Sequence, residues 1–452
     1  MKENKIHIGE KISYLMANIG NIPLMTLLNS FFMIYYTDVV GLKPAALATL
    51  FLISKIMDAL NDPIVGFLLD KLPVTKMGKF RPMLIIGTII CSINYALLWF
   101  GPVWLPQFKY VIVYVTYLLL GWTFTIMDIS LNSLLPVMTS NNKERNSLSL
   151  IKAVGYVFGG LAVAIAGPII VADGTLESYY VLIFGALSIV VIFSIAGALG
   201  VKERVQFHDS HAEKYGFRDM IQFLTYKPVI VTFLSSLIGF IGTQMVSSAG
   251  TYFYTYIIGD LTKMSAVTVM SAIGLLPGMI LSPVLANKYG KRKVYMAGAL
   301  FAWACGFLRV FNPTSLMLLY IVTLAGGIGS GLVAPLGYGI QADNTMYIQY
   351  KTGHRAEAVI ASLSSLVTKV GQGLGGAIPG YVLAYAGYIE GAKVQSDSVI
   401  NGILLCVVFI PTIFALISAL LFSFGYKIEK EDIEKMTAEI NLRTQVNNIH
   451  SK

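Results

Sequence analysis

The chain of 452 residues is 56% apolar and 13% charged, about half the charged share of an ordinary soluble domain, and it carries a net charge of +9. That composition excludes a soluble globular protein, which has no means of hiding so much apolar surface from water. It also argues against a nucleic-acid partner, because the positive excess is spread along the chain in short loops rather than gathered in a patch.

The first thirteen residues are polar, with Lys2, Lys5 and Lys11, and show no short apolar core followed by a small-residue cleavage site, so no cleaved signal peptide is expected. From there the apolar runs predict twelve helical spans, at 14–37, 44–69, 83–101, 109–136, 149–171, 178–200, 228–258, 264–286, 294–311, 315–342, 356–386 and 398–425. With both termini cytoplasmic, 26 of the 33 Lys and Arg fall on the inner side and four, Lys43, Lys109, Lys263 and Lys393, on the outer, which sets the orientation by the positive-inside rule. Cys91, Cys305 and Cys406 sit in separate apolar segments, so no disulfides are expected. The five histidines lie in polar segments without partners at metal-ligand spacing, and no metal or organic cofactor is expected.

The longest polar stretch, 201–227, follows the sixth span. The expected organisation is therefore an all-α membrane protein with an N-terminal six-helix bundle (1–200), a cytoplasmic middle loop (201–227), a C-terminal six-helix bundle (228–425) and a cytoplasmic tail (426–452). Each half carries a basic turn after its second span, Asp70-Lys71 with Gly78-Lys79-Phe80-Arg81 in the first and Asn287-Lys288-Tyr289-Gly290-Lys291-Arg292-Lys293 in the second. Placement at the same point in both halves predicts an internal duplication, the architecture in which two bundles rock about a midplane site.

Charged side chains inside spans cost at least about 2.5–3.5 kcal/mol each, so every one is a functional hypothesis. In the second span Lys55, Asp58 and Asp62 share a helical face by offsets of three, four and seven, with Asn61 beside them and Pro63 unable to donate its backbone bond. Two carboxylates and an amide oxygen are hard ligands suited to Na⁺ or H⁺, although the three charges can also simply neutralise one another, an arrangement in which Asn61 has no role. In the fourth span Thr125, Asp128 and Asn132 share a face, and in the eleventh Lys369 either bridges to first-half acids or snorkels to an interface. Tyr14, Tyr35, Tyr36, Trp122 and Phe124 are candidates for stacking on a sugar ring, with ordinary packing as the alternative; Gly371-Gln372-Gly373-Leu374-Gly375-Gly376 reads as close helix packing.

These residues, with Tyr36-Thr37-Asp38-Val39-Val40-Gly41, Gly78-Lys79-Phe80-Arg81-Pro82 and Tyr350-Lys351-Thr352-Gly353-His354-Arg355-Ala356-Glu357, resemble the glycoside-pentoside-hexuronide:cation symporters over nearly the whole chain. That branch of the major facilitator superfamily contains the melibiose permease and the glucuronide carriers. The resemblance implies a major facilitator fold of twelve transmembrane helices. It also implies a cation site at Asp58, Asn61, Asp62 and Thr125, a sugar site at Asn21, Asp128, Asn132, Lys152 and Lys369, and a gating motif at Asp70, Gly78, Lys79, Arg81 and Arg355. The expected activity is import of a small glycoside, pentoside or uronide in symport with Na⁺ or H⁺, by a monomer in the inner membrane whose partners are the sugar, the cation and the lipid bilayer.

Departures from the family pattern bear on the substrate. Ile22 stands where melibiose permease is expected to have a sugar-binding aspartate, Asn132 where it has a stacking tryptophan, and lysines at 55 and 152 where arginine is common. The same branch is similar to sodium-dependent lysophospholipid carriers, which makes a non-sugar substrate the alternative. A membrane enzyme is disfavoured by the lack of a nucleophile and base paired within a span.

Overall fold

A segment crossing lipid has to satisfy its backbone hydrogen bonds internally, and a helix does so. The computed structural model describes residues 6–71, 73–139, 141–204, 225–353 and 357–450, without the side chains of 59, 60, 62, 63, 66, 67, 70, 142, 143, 146, 357, 358, 441 and 444–450. Asp62, Pro63 and Asp70 therefore enter only as helix positions, their side chains outside the described residues, and Arg355 lies outside them altogether.

The helices run α1 (Ile8–Ile34, prolonged by a π turn Tyr35–Val39), α2 (Pro44–Lys71), α3 (Phe80–Trp104), α4 (Lys109–Met138), α5 (Asn142–Ile170), α6 (Leu176–Gly200), α7 (Lys227–Tyr252, prolonged by Phe253–Ile258), α8 (Thr262–Tyr289), α9 (Lys291–Phe311), α10 (Leu316–Thr352), α11 (Glu357–Tyr385), α12 (Asp397–Leu404), α13 (Ile410–Gly425) and α14 (Lys430–His450). A π turn, Leu405–Phe409, joins α12 and α13 into one crossing. Among the described residues ten segments are long and apolar enough to span a membrane. The 28-residue α2 and 29-residue α11 occupy the two other predicted positions.

Two helices outrun their apolar windows for a visible reason. The first starts at Ile8 rather than at 14, because the buried Glu10 in its first turn is held by Arg204 at 2.6 Å. The tenth continues about ten residues past its predicted end; there Asp343 receives Lys291 at 2.6 Å and Asn344 donates to Thr232 at 3.1 Å, so its polar last turns have partners inside the bundle.

The chain packs as two units. The first holds the described residues of Met1–His211, Ser247–Ser265 and Gly376–Ile400; the second holds those of Ala212–Val246, Ala266–Gly375 and Asn401–Lys452. The far ends of α7 and α11, which belong to the second half in sequence, thus pack within the first unit. In the first unit α1 lies between α5 and α6, and α4 between α2 and α3. Glycines allow those approaches: a methyl group on Gly159 of α5 would fall 2.5 Å from the Ile19 carbonyl oxygen, and one on Gly197 of α6 2.6 Å from the Ala17 backbone nitrogen. The core is aromatic. Tyr35 and Tyr36 are fully buried and donate to the carbonyls of Trp99 (2.6 Å) and Leu98, which makes them packing residues rather than sugar platforms. The second unit is built on Val294, Leu336, Ile340, Phe422 and Tyr426, with Ile428 and Met436 fastening α14 to it.

Candidate functional site

One stripe of α4 organises the first unit. Gly121, Thr125, Asp128 and Asn132 follow offsets of four, three and four, so they stack along a single face. Gly121 at one end meets α2; Asp128 and Asn132 at the other meet α1 and α5.

At the α2 end, Lys55 pairs with Asp58 at 3.1 Å. Asn61 is 1% exposed, and neither atom of its side-chain amide has a hydrogen-bond partner among the described residues. An unmet buried polar atom costs about 1–3 kcal/mol, which makes this amide a candidate for holding a ligand. Thr125 donates back to the Gly121 carbonyl at 2.6 Å. Gly121 was not foreseen from the sequence. A methyl group there would lie 2.3 Å from Asp58 Oδ1 and 3.3 Å from Asn61 Nδ2, so the bare backbone of α4 is what admits the α2 polar groups.

At the other end Asp128 receives two amides: Asn21 Nδ2 on Oδ1 and Asn132 Nδ2 on Oδ2, each at 2.9 Å. Lys152, ten residues into α5, donates to Asn132 Oδ1 and stands 5.4 Å over the Tyr156 ring. Asn132 therefore links an ammonium to a carboxylate, its two amide atoms oriented by the two charges. On the neighbouring α1, the Tyr14 hydroxyl and the side-chain oxygens of Asn18 and Asn21 are buried without hydrogen-bond partners among the described residues. Asn18 and Tyr156 extend the predicted set; an asparagine three residues before Asn21 and a tyrosine four after Lys152 were the available signals. The structure thus gathers Asn21, Asp128, Asn132 and Lys152, and separately sets Asp58 and Asn61 against Gly121, one turn before Thr125 on α4. Lys369, half-buried on α11, belongs to the second unit.

The basic turns act as locks between helix ends. Gly78 has φ +99° and sits against Glu203, whose carboxylate accepts the backbone N–H groups of Lys79, Phe80 and Arg81, each at 2.8 Å, and so caps the N-terminus of α3. Arg81 in turn donates to the Ala198 (2.8 Å) and Leu199 (2.7 Å) carbonyls at the end of α6. In the second unit Gly290 has φ +87°, and Arg292 reaches the Ser423 carbonyl at 3.0 Å and the Glu429 carboxylate. Basic turn, end of the sixth crossing, and a glutamate just beyond it recur in both units, as a duplication requires. Next to the first lock, the Glu10 carboxylate raises the Arg204 guanidinium above the usual arginine range, chiefly through its hydrogen bond.

At the far end of α1, Asp38 accepts from Tyr256 (2.6 Å), Thr37 (2.8 Å) and Tyr388, while Thr37 also meets the Tyr252 hydroxyl at 2.8 Å. The three tyrosines come from the end of α7 with its π turn and from the segment just after α11, all packed in this unit, so one carboxylate ties three chain regions together.

A family model described as MFS/sugar transport protein matches residues 13–430. The chain belongs to that family: it is an all-α membrane transporter of the major facilitator fold, with ten segments among the described residues long and apolar enough to cross a membrane. Among its relatives is the isoprimeverose transporter of Lactiplantibacillus pentosus, 30% identical over 97% of this chain and 92% of the relative. Another is the glucuronide carrier protein homolog of Escherichia coli strain K12, 27% identical over 96% of each. The fold is shared with the nucleoside transporter NupG, at a TM-score of 0.65 and 14% identity, covering 93% of this chain and all of that one. These relatives agree with the resemblance to the glycoside-pentoside-hexuronide:cation symporters.

Proposed function

We propose that the chain imports a small sugar or glycoside in symport with Na⁺ or H⁺ by alternating access, in the cell membrane with both termini cytoplasmic. The observation that supports this reading is the continuity of the α4 stripe, which lies against Asp58 and Asn61 at its Gly121 end, where with Thr125 they would form a hard-oxygen site, and carries Asp128 at the other, where hydroxyls would bind.

The coupling ion, with Asp62 as an expected further ligand, neutralises carboxylates that are expensive to keep ionised together in a low-dielectric cavity. Its occupancy fixes the position of α2 against Gly121 and Thr125. One turn further along, the same helix aims Asp128 at the substrate. A carboxylate there accepts two neighbouring sugar hydroxyls by charge-assisted bonds, and the buried oxygens of Asn18, Asn21 and Tyr14 supply further partners. Occupancy of the two sites is linked because α4 cannot adopt different positions at its two ends. Lys369 serves as the expected contribution of the second half.

The site favours uncharged glycosides and pentosides over uronides. Lys152 is engaged by Asn132, and Asn132 by Asp128, so this wall offers a carboxylate and an ammonium already matched to each other. An anionic substrate would have to break that link. The relative that carries isoprimeverose in its name fits the ordering. In the transport cycle the Asp38 cluster closes one end of the first unit, and Asp70, Gly78, Lys79 and Arg81 act at the other, with Arg355 as an expected gating residue of the second half.

Counterflow by the purified protein in liposomes, screened over neutral pentosides, glycosides and uronates with and without Na⁺, tests the reading. Exchange of at least one neutral sugar is expected; a protein that exchanges none of the sugars but does exchange lipid-like anions would overturn it.

A further inference from the structure

The second unit carries a cavity of about 350 Å³ that the transport reading does not use. Lys227 at the start of α7, Lys351 at the end of α10, Lys427 after α13 and Lys435 on α14 all line it. None of these four ammonium groups has a carboxylate within ion-pair distance among the described residues, whereas Lys291 and Arg292 of the same unit are paired. The one carboxylate on the rim, Asp432, already accepts the Glu429 backbone N–H at 3.0 Å. Four like charges around one hollow repel each other, and that repulsion is relieved by an anion.

Two further features narrow the anion. Three of the lysines stand where candidate membrane spans end, the level at which headgroups are met, and Tyr347 and Tyr350 line the same hollow, with the Lys351 ammonium 5.8 and 5.3 Å from their ring centres. The fourth lysine is held there by the tail: Ile428 and Met436 are buried in the core of the unit, Thr437 donates to Met346 S at 3.3 Å, and Arg443 donates to the Tyr350 carbonyl at 2.9 Å. The α14 helix is thus the cover of the hollow.

We infer that this pocket binds a phosphate group and that its occupant fastens α14 to the second bundle. The phosphate is supplied by an anionic lipid headgroup or by free phosphate; lysines, as compact point charges, grip either without a bidentate requirement. Basic pockets at the ends of membrane helices are suited to such headgroups, and each lysine near the surface is worth about fivefold in affinity.

The test uses the full-length protein in phosphatidylcholine nanodiscs. One arm adds inorganic phosphate at constant ionic strength; the other replaces part of the phosphatidylcholine with phosphatidylglycerol. Thermal midpoint and hydrogen exchange of residues 430–443 are read in both. A rise in midpoint with slower exchange in α14 is expected, from phosphatidylglycerol alone if the site requires a lipid, and from both additions if the phosphate group suffices. The triple variant Lys227→Gln, Lys427→Gln, Lys435→Gln is expected to weaken the response on the order of a hundredfold. The charge-keeping triple Lys→Arg variant retains it, and so does the double variant Lys288→Gln, Lys293→Gln, which alters exposed lysines outside the pocket. Sugar counterflow is unchanged in all three. No response in either arm, or an equal loss in the Lys288 and Lys293 control, overturns the assignment.

Discussion

Replacing Gly121 by alanine separates a cation site from ordinary packing. The added methyl carbon would lie 2.3 Å from Asp58 Oδ1, whereas ordinary contact begins at 3.4 Å, so the carboxylate must retreat by the 1.1 Å between them. Because the obstacle is the end of a side chain and not backbone, Asp58 can turn away, at a folding cost no larger than the roughly 1–3 kcal/mol of a core overpacking. A displacement of that size is several times what a cation–oxygen bond tolerates, about 0.2 Å. Loss of a charged ligand then weakens cation binding by about tenfold or more, roughly 1.4 kcal/mol. In proteoliposomes the half-activating Na⁺ concentration, or the half-activating proton concentration at zero Na⁺, should rise by that factor, while sugar counterflow at saturating cation stays near wild type. An alanine variant with unchanged activation by both ions would mean that Gly121 only packs, and that the cation does not bind between α2 and α4.

Three further substitutions probe other parts of the account. Asp128→Asn keeps shape and removes charge, so sugar binding should fall about tenfold or more; a variant that binds sugar normally but has lost the cation would move Asp128 to the cation site. Glu203→Gln deprives the first turn of α3 of an anion shared by three N–H groups at 2.8 Å, and the thermal midpoint should drop in line with about 1–2 kcal/mol; an unchanged midpoint would show that the cap carries no stability. Lys369→Ala should abolish most uptake while the protein still inserts, and wild-type uptake would remove Lys369 from the transport machinery.

What the sequence disclosed follows from the cost of burial. Apolar runs and basic loops are read off directly, and Asp58, Asn61 and Asp128 stand out because polar groups are rare inside spans. The α4 stripe was legible from offsets alone. Gly121 was not, since a glycine in a membrane helix that admits another helix looks the same as one that admits a carboxylate. Glu203 stands in a polar loop where glutamate is ordinary, and only the position of α3 beside the end of α6 gives it three N–H partners. The link from Asn132 to Lys152 needed the placement of α5 against α4, and the Asp38 cluster draws tyrosines from more than 200 residues away, a distance no local pattern encodes. The far ends of α7 and α11 pack in the first unit for the same reason: long-range contacts choose their side, while local hydropathy only counts crossings.

The central claim is that cation and sugar move together through sites joined by α4. Its most direct measurement is accumulation of a neutral pentoside or glycoside, found by counterflow, in proteoliposomes with an imposed inward Na⁺ or H⁺ gradient. Wild type is expected to concentrate the sugar above its outside level and to lose that ability when the gradient is collapsed. Asp58→Asn is expected to insert and yet fail to accumulate. Accumulation that persists without any ion gradient, or that survives Asp58→Asn at the wild-type level, would contradict the account.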